Sequence, residues 1–480
     1  MSALDSDSQN VTGKPGYADI LREIRDRYRY ARAAWDPILK EAQEDMRYVC
    51  GDPWSAKDKA ERDDAGRPYL VMDELGQYLN QTKNQLRQNP RGIKIDPVGE
   101  GANDKTADFN QSLIRGIEYD SNATRNAYQP AFENALERGY GFFRVTRKYI
   151  HGKKHQVIHI KGILNPDSVV FDPDYTEADW SDARYCFVVE PMPKEVFKSR
   201  FPKATIQDFS AEDMLTAPDW VQDQIVLVAE YWRVTEDEDG KRSVVQYMTN
   251  GVEILEPPTE EFGSYLPIIP VIGREKYLTS GGRTERKIFS MVRLARDPYM
   301  YFCYLASQEA EEASLTPKVP IFAYVGQCET DAVAIESMTK VPHAVIQFDP
   351  IVDQATNQIL PIPTRPQFQP NFQAYEVAKD SASRSIMKAM GLSPLPTAAQ
   401  RSNEKSGIAL ETIETQQNIG AFDFTDNFDR SLQLTGRILL EWIPMVYTQE
   451  RHVGLVAADG KRKVVRINTS QPYDSGDGVM

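Results

Sequence analysis

Residues 408–446 read IALETIETQQNIGAFDFTDNFDRSLQLTGRILLEWIPMV, and within them Phe424, Phe428, Leu432, Ile438, Trp442 and Val446 recur near the 3.6-residue period of an amphipathic helix. This spacing predicts one helix of roughly 60 Å, longer than a compact domain needs. On its N-terminal side the loop Ala398–Gly407, AAQRSNEKSG, carries Gln400, Arg401, Asn403 and Lys405 and almost no apolar anchor. It reads either as a plain surface loop or as a loop that touches a polyanion. On the C-terminal side GLVAADGKRKVVRIN reads as a hairpin turning at Asp459-Gly460, followed by a polar tail.

Further back, Phe372–Met390 reads as helix and 317–370 as strand and loop with many prolines, ending in the extended PIPTRPQFQP. Thr284 to about Ser314 reads as a helix of about 45 Å, kinked at Asp297-Pro298 where the proline removes a ladder donor. Three β-rich runs, IVLVAEYWRV, RSVVQYM and LPIIPVIG, fall between 223 and 273, separated in part by the acidic turn Glu236–Gly240, and suggest a small β module. The segment 165–222 is rich in Pro and Asp. Val157–Ile163 pairs back on Phe142–Ile150 through His151-Gly152-Lys153-Lys154, and Gly139 sits where a helix over the preceding residues would stop. Residues 104–138 read as two helices and Ile93–Pro97 as a strand. Met72–Gln88 reads as a helix closed by Asn89-Pro90, and Gly51–Pro68 as a charged loop. Tyr17–Tyr48 reads as a helix through Ile20, Ile24, Tyr28, Ala31 and Trp35, bent at Pro37, after a polar arm over 1–16. The fold class expected is α+β, helix-rich.

Composition narrows the function. The chain has 480 residues, 41% of them hydrophobic, with 56 Lys and Arg against 70 Asp and Glu, a formal charge of −14. That balance disfavours a tight grip on nucleic acid and leaves room for loose, transient contact. Cys50, Cys186, Cys303 and Cys328 are scattered, with no C-x-x-C pair, as isolated thiols of a reducing compartment would be. The opening MSALDSDSQNVTGKPG is polar, and the longest apolar stretch, Leu266–Ile272, is short and broken by prolines, so a soluble cytosolic product without membrane contact is expected.

Signatures of catalysis are missing. His151, His155 and His159 are spaced by four, but Gly152 and Val157-Ile158 place them on a hairpin, where they read as turn and strand residues and not as metal ligands. His343 and His452 stand alone. Gly139-Tyr140-Gly141 runs helix, glycines, strand, the wrong order for a dinucleotide cradle. Asp167, Asp172, Asp174 and Asp179 form an acidic run, yet an EF-hand starting at Asp172 would have Glu177 in the place of its Gly and Ala183 in the place of its last Glu. The 23 tyrosines are not interleaved with a basic stripe, so packing is their expected use over stacking on single strands. There is no G-x-x-x-x-G-K-[ST], G-x-S-x-G or H-E-x-x-H. No catalytic, cofactor or metal residue is assigned.

Several blocks, in order and spacing, resemble the large portal proteins of short-tailed bacteriophages: GDPWSA, GRPYLVMDELGQYLNQTKNQLRQNPRGIKIDPVG, AFENALERGYGFFRVTRKY, ILNPDSVVFDPD, MVRLARDP and SGIALETIETQQNIGAFDFTDNFDRSL. The resemblance covers nearly the whole chain, and Gly66-Arg67-Pro68 to Pro97 is its strongest block. It implies a non-enzymatic portal-type fold and a dodecameric ring at one capsid vertex, forming the channel for genome packaging and ejection and a docking platform for terminase and tail. By position it implies a wing over 17–190 and 317–390, a wing-to-stem connection at 191–222, a clip near 223–283 and a stem helix over 284–316 kinked at Pro298. A tunnel-type loop at 391–407, a long wing helix over 408–448, and a hairpin and tail over 449–480 follow. Gln400, Arg401, Asn403 and Lys405 are then candidates for DNA-channel contact, with Arg401 and Lys405 touching phosphates transiently. A ring of twelve would carry on the order of −170 formal charges, which suits a conduit that repels DNA more than it holds it. Implied partners are further copies of the chain, major capsid and scaffolding proteins, the terminase large subunit, a tail adaptor, and double-stranded DNA read without sequence specificity, with no cofactor. Implied localisation is the virion, after assembly in the host cytoplasm. Relatives continue past the hairpin into a helical crown, so the crown is expected to be missing or truncated at Met480. Other ring-forming head-tail adaptors, and an unrecognised hydrolase, are the competing readings.

Overall fold

A computed structural model describes residues 17–98, 103–150, 155–204, 220, 225–237, 239–280, 283–315, 321–338, 343, 345–353, 358–364, 371–392, 422–457 and 460–468. The first helices are α1 (Tyr17–Val49), α2 (Ala56–Asp64), α3 (Leu75–Gln88), α4 (Asp104–Ser121) and, after a π-helical turn at Thr124–Tyr128, α5 (Gln129–Arg138). Strands β1 (Tyr140–Tyr149), β2 (Gln156–Ile163), β3 (Val169–Phe171) and β4 (Tyr185–Pro193) precede α6 (Lys194–Arg200). Then come β5 (Ile225–Glu236), β6 (Arg242–Thr249), β7 (Ile254–Glu261), β8 (Ile268–Ile272), β9 (Arg274–Ser280) and β10 (Arg283–Phe289). The remainder is α7 (Arg296–Leu315), α8 (Ala332–Ser337), α9 (Phe372–Ala389), α10 (Phe422–Val446), β11 (Arg451–Val456) and β12 (Arg462–Ile467). The chain divides into unit 1, residues 1–46, 78–293 and 395–480, and unit 2, residues 47–77 and 294–394.

Unit 1 is built on two antiparallel sheets. β3-β4-β5-β6-β7 form five strands and β2-β1-β8 three. Ile24, Tyr28, Ala31, Trp35, Ile38 and Ala42 of α1 fall at alternating steps of four and three, so one face of the helix is continuously apolar. That face is buried in a core with Phe171, Phe187, Trp220 and Tyr231. Trp35 donates its indole N–H to Phe171 O at 3.0 Å. The second sheet carries α5 and α10: Phe428 of α10 lies 5.4 Å from Phe132 and 6.2 Å from Tyr128. Ser431 Oγ donates to Pro270 O at 2.5 Å and Asn427 Nδ2 to Gly273 O at 2.6 Å. Gly139 ends α5 at φ +96° as expected, and Gly141 is needed because a Cβ there would stand 2.0 Å from Ala131 O. At the end of α4, half-buried Glu118 accepts from Tyr128 O–H at 2.8 Å, and burial pushes its carboxyl up to about 7. Asp45 of α1, fully buried, accepts from Ser290 Oγ at 2.8 Å and from Arg293 Nη2 at 2.8 Å. A second carboxylate, Glu41, stands 3.2 Å from Arg293 Nη1.

Several expectations need correction. Thr284–Val292 is not helix: Arg283–Phe289 pairs antiparallel with Arg274–Ser280, and the helix starts at Arg296. Ile288 turns inward, 2% exposed. Arg286 lies 3.4 Å over the Tyr175 ring and reaches Glu275 at 2.7 Å, so tertiary contacts override the helix-forming character of Glu285-Arg286-Lys287. Pro298 is the third residue of α7, in the first turn where its missing N–H costs nothing, so no kink follows. The three β runs between 223 and 273 form no module of their own. The first two pair within the five-stranded sheet beside β4, and the third pairs with β1. Ile93–Pro97 forms no strand and belongs to no sheet; Ile93, 7% exposed, packs at Gly436, where a Cβ would meet its Cγ2 at 2.9 Å. The loop Gly51–Pro68 contains α2, whose N-cap Ser55 accepts from Asp58 N. α1 continues through Pro37.

Candidate functional site

The predicted contact residues Gln400, Arg401, Asn403 and Lys405 lie outside the described residues, as does the part of the long helix before Phe422. What is described is where the chain leaves for that loop and where it returns. α9 closes with Gly391 at φ +75°, Gly391 N–H bonding Lys388 O and Leu392 N–H bonding Met387 O, both at 3.0 Å. This is a Schellman stop that fixes the exit direction. The return begins with Asp423, which accepts from Arg274 Nε at 3.0 Å, and Phe424, 1% exposed.

Unit 2 presents the surface that most requires an explanation. α7 and α9 run antiparallel, since Tyr375 reaches Glu312 and Lys379 reaches Glu309. Tyr299, Cys303, Ala306 and Ser307 form the buried stripe of α7, and Ala382 and Ile386 that of α9. The last turns of α7 carry Glu309, Glu311 and Glu312 at the negative end of the helix dipole, an arrangement unfavourable by itself. It is offset by Lys379 Nζ on Glu309 at 2.6 Å, Arg67 Nε on Glu311 at 2.9 Å and Tyr375 O–H on Glu312 at 2.5 Å. The two acids Glu309 and Glu376 raise the Lys379 pKa, and Glu312 raises the Tyr375 phenol to about 12.

Between these helices, over the described parts of 321–364, the pattern is inverted. The segment is held by polar groups: Gln327, 2% exposed, accepts from Tyr324 N–H and donates to Pro361 O. Asp349 accepts from Thr330 N–H and O–H, which holds its carboxyl below the usual range. Two single bridges, Phe322 with Thr364 and Val352 with Ile359, are its ladder. Meanwhile Phe322, Val325, Val333, Val345, Ile359 and Ile362 are 64% to 99% exposed. Covering side chains of this size is worth roughly 1.5–3 kcal/mol each, so this surface is suited to being covered by a partner.

The acidic run that could have held a cation is engaged elsewhere. Asp167 accepts from Arg138 and Tyr140, and Asp174 from Tyr30 O–H. Asp172 accepts from the N–H groups of Asp174 and Arg184, and Asp179 pairs with Arg437 at 3.0 Å. Among the described residues no group of His, Cys, Asp and Glu has a metal-ligand arrangement, and no helix is long and apolar enough to cross a membrane. Sequence reading missed the apolar surface because isolated Val and Ile among prolines have no period to detect.

The family model described as phage P22-like portal protein matches residues 25–480. A protein named portal protein, from Acyrthosiphon pisum secondary endosymbiont phage 1, is 25% identical over 464 residues, with 84% of this chain and 62% of that protein covered. This chain therefore spans less than two thirds of the length of that relative. With the family match extending over nearly all of its length, the chain belongs to the phage P22-like portal protein family.

Proposed function

We propose that the chain is a ring-forming, non-catalytic subunit at one vertex of a phage capsid, that the ring gives the passage for genome packaging and ejection, and that terminase and tail dock on it. The observation that carries the ring reading is the inverted pattern over the described parts of 321–364, whose exposed apolar side chains call for a neighbour. A ring needs a heterologous contact repeated from copy to copy, which a surface of this kind supplies. We place that contact here. Gln400, Arg401, Asn403 and Lys405 stay assigned to transient phosphate contact in the channel, with twelve subunits as the expected number.

Light scattering and negative-stain imaging of the purified chain test the reading. Rings with a central hole are expected, and a double variant Ile359→Asp/Ile362→Asp should remain folded by circular dichroism and lose the rings. A wild-type protein that stays monomeric at high micromolar concentration would defeat the ring reading. Rings unchanged in the double variant would defeat the placement of the contact.

A further inference from the structure

α4, β2 and β11 of unit 1 surround a cavity of about 220 Å³ whose wall includes Lys148, His159, Arg451, His452, Asp120 and Ser121. Close backbone approach shapes it: a Cβ on Gly116 of α4 would stand 2.1 Å from Gly454 O of β11. Arg451 donates from Nη1 to Gln156 O and from Nη2 to Val446 O, each at 2.6 Å, and its guanidinium lies 4.1 Å from the centroid of the Tyr447 ring. All three partners are neutral. Among the described residues Arg451 has no ion pair, its Nε is buried without an acceptor, and burial lowers its pKa. The carboxylate on the wall, Asp120, is held by Arg462 Nη2 at 2.7 Å. His159 is depressed by burial and then by Lys148 and Lys161, as expected where positive charge is in excess. Ser121 Oγ accepts from Ile160 N–H at 3.1 Å, which leaves its own proton to donate. In a chain of net charge −14, a partly buried arginine that among the described residues bonds only neutral oxygens, beside a partly open cavity, calls for a counter-anion.

We propose that this cavity binds a small oxyanion of the phosphate or sulfate class. Arg451 supplies fixed charge, and Lys148, His159, His452 and Ser121 O–H supply the other donors. The volume holds such an ion with a few waters, at about 30 Å³ of liquid each. Burial pushes the Tyr447 phenol further above its ordinary value and draws Arg451 down from an ordinary value far above neutrality, so His159, held low by burial and by Lys148 and Lys161, sets the pH dependence. By linkage an anion raises its proton affinity, and protons raise anion affinity.

The test is calorimetric titration and thermal shift of the full chain with sodium sulfate against sodium chloride at matched ionic strength, sulfate keeping one charge over this range. Saturable sulfate binding is expected, tighter at pH 6 than at pH 8 by about tenfold. Arg451→Gln should weaken it at least as much. Because that change could disturb the fold, Lys148→Met, at an exposed side chain, serves as the second variant and should weaken it several-fold with an unchanged melting temperature in chloride. Chloride giving the same shift as sulfate, or both variants binding sulfate as wild type does, would overturn the site. Inorganic phosphate and a 5′-phosphorylated dinucleotide run in parallel separate the sources: competition by the dinucleotide assigns the site to a nucleotide phosphate, and competition by phosphate alone to the free ion. Competition by neither overturns the proposal.

Discussion

Glu118→Gln is the change whose effect follows most directly from the structure. Glutamine keeps an oxygen to accept the Tyr128 O–H, 2.8 Å away in the native chain, and removes the charge. Burial moves the Glu118 carboxyl from its ordinary 4.5 to about 7, while the Tyr128 bond and Arg115 pull the other way. Between those values the native state holds a proton that the unfolded chain releases. The native state is therefore without penalty below pH 4.5, loses stability as pH rises, and levels off above 7. Two and a half units at about 1.4 kcal/mol each set a ceiling near 3 kcal/mol. Because the side chain is only half-buried beside a cleft, the screened expectation is about 1–3 kcal/mol. Glu118→Gln should gain that much at pH 8 and almost nothing at pH 4.5. Urea unfolding followed by tryptophan fluorescence at intervals from pH 4.5 to 8.5 measures it. A variant less stable than wild type at pH 8, or a difference that does not change with pH, would refute the reasoning.

Three further outcomes are expected. Asp45→Ala leaves Arg293, among the described residues, with the more distant Glu41 as its ion-pair partner and should cost about 3–5 kcal/mol in urea unfolding, whereas Asp45→Asn should cost less. Gly141→Ala drives a Cβ to 2.0 Å from Ala131 O and should leave little soluble protein at 37 °C, a loss of at least about 3 kcal/mol. Arg286→Lys gives up the guanidinium over the Tyr175 ring, the bond from Nη2 to Tyr175 O and the ion pair with Glu275; amide exchange should rise across 274–289 while other strands keep their protection, at a cost of about 1–2 kcal/mol.

Elements with a long, regular period are legible in the sequence alone. The α1 face from Ile24 to Ala42, the α10 stripe and the β1–β2 hairpin all follow from spacing, and Gly139 follows from the left-handed backbone that a helix stop requires. Thr284–Val292 misleads because Glu285-Arg286-Lys287 are good helix formers locally, although Gly281-Gly282 between two alternating runs is a hairpin signal. The pairing of β8 with β1 is not legible, since strand pairing over a hundred residues leaves no mark in either strand. The cationic cavity draws Lys148, His159 and Arg451 from distant segments, and no local pattern predicts such convergence. Ser55 with Asp58, by contrast, is a visible cap for α2 inside what reads as a loop.

The place of α10 in the chain has a consequence for synthesis. Its Phe428 and Ser431 close over β8 and α5, yet they are translated some 150 residues after β8, once all of 294–394 has been made. At about 5–20 residues per second the ribosome needs roughly 10–30 s for that interval. Throughout it the apolar face of the three-stranded sheet stands without its lid, and a nascent chain in that state is the species most exposed to aggregation and to holdase chaperones. Overexpression yield should therefore respond to slower growth temperature and to chaperone supply more than to any single surface substitution.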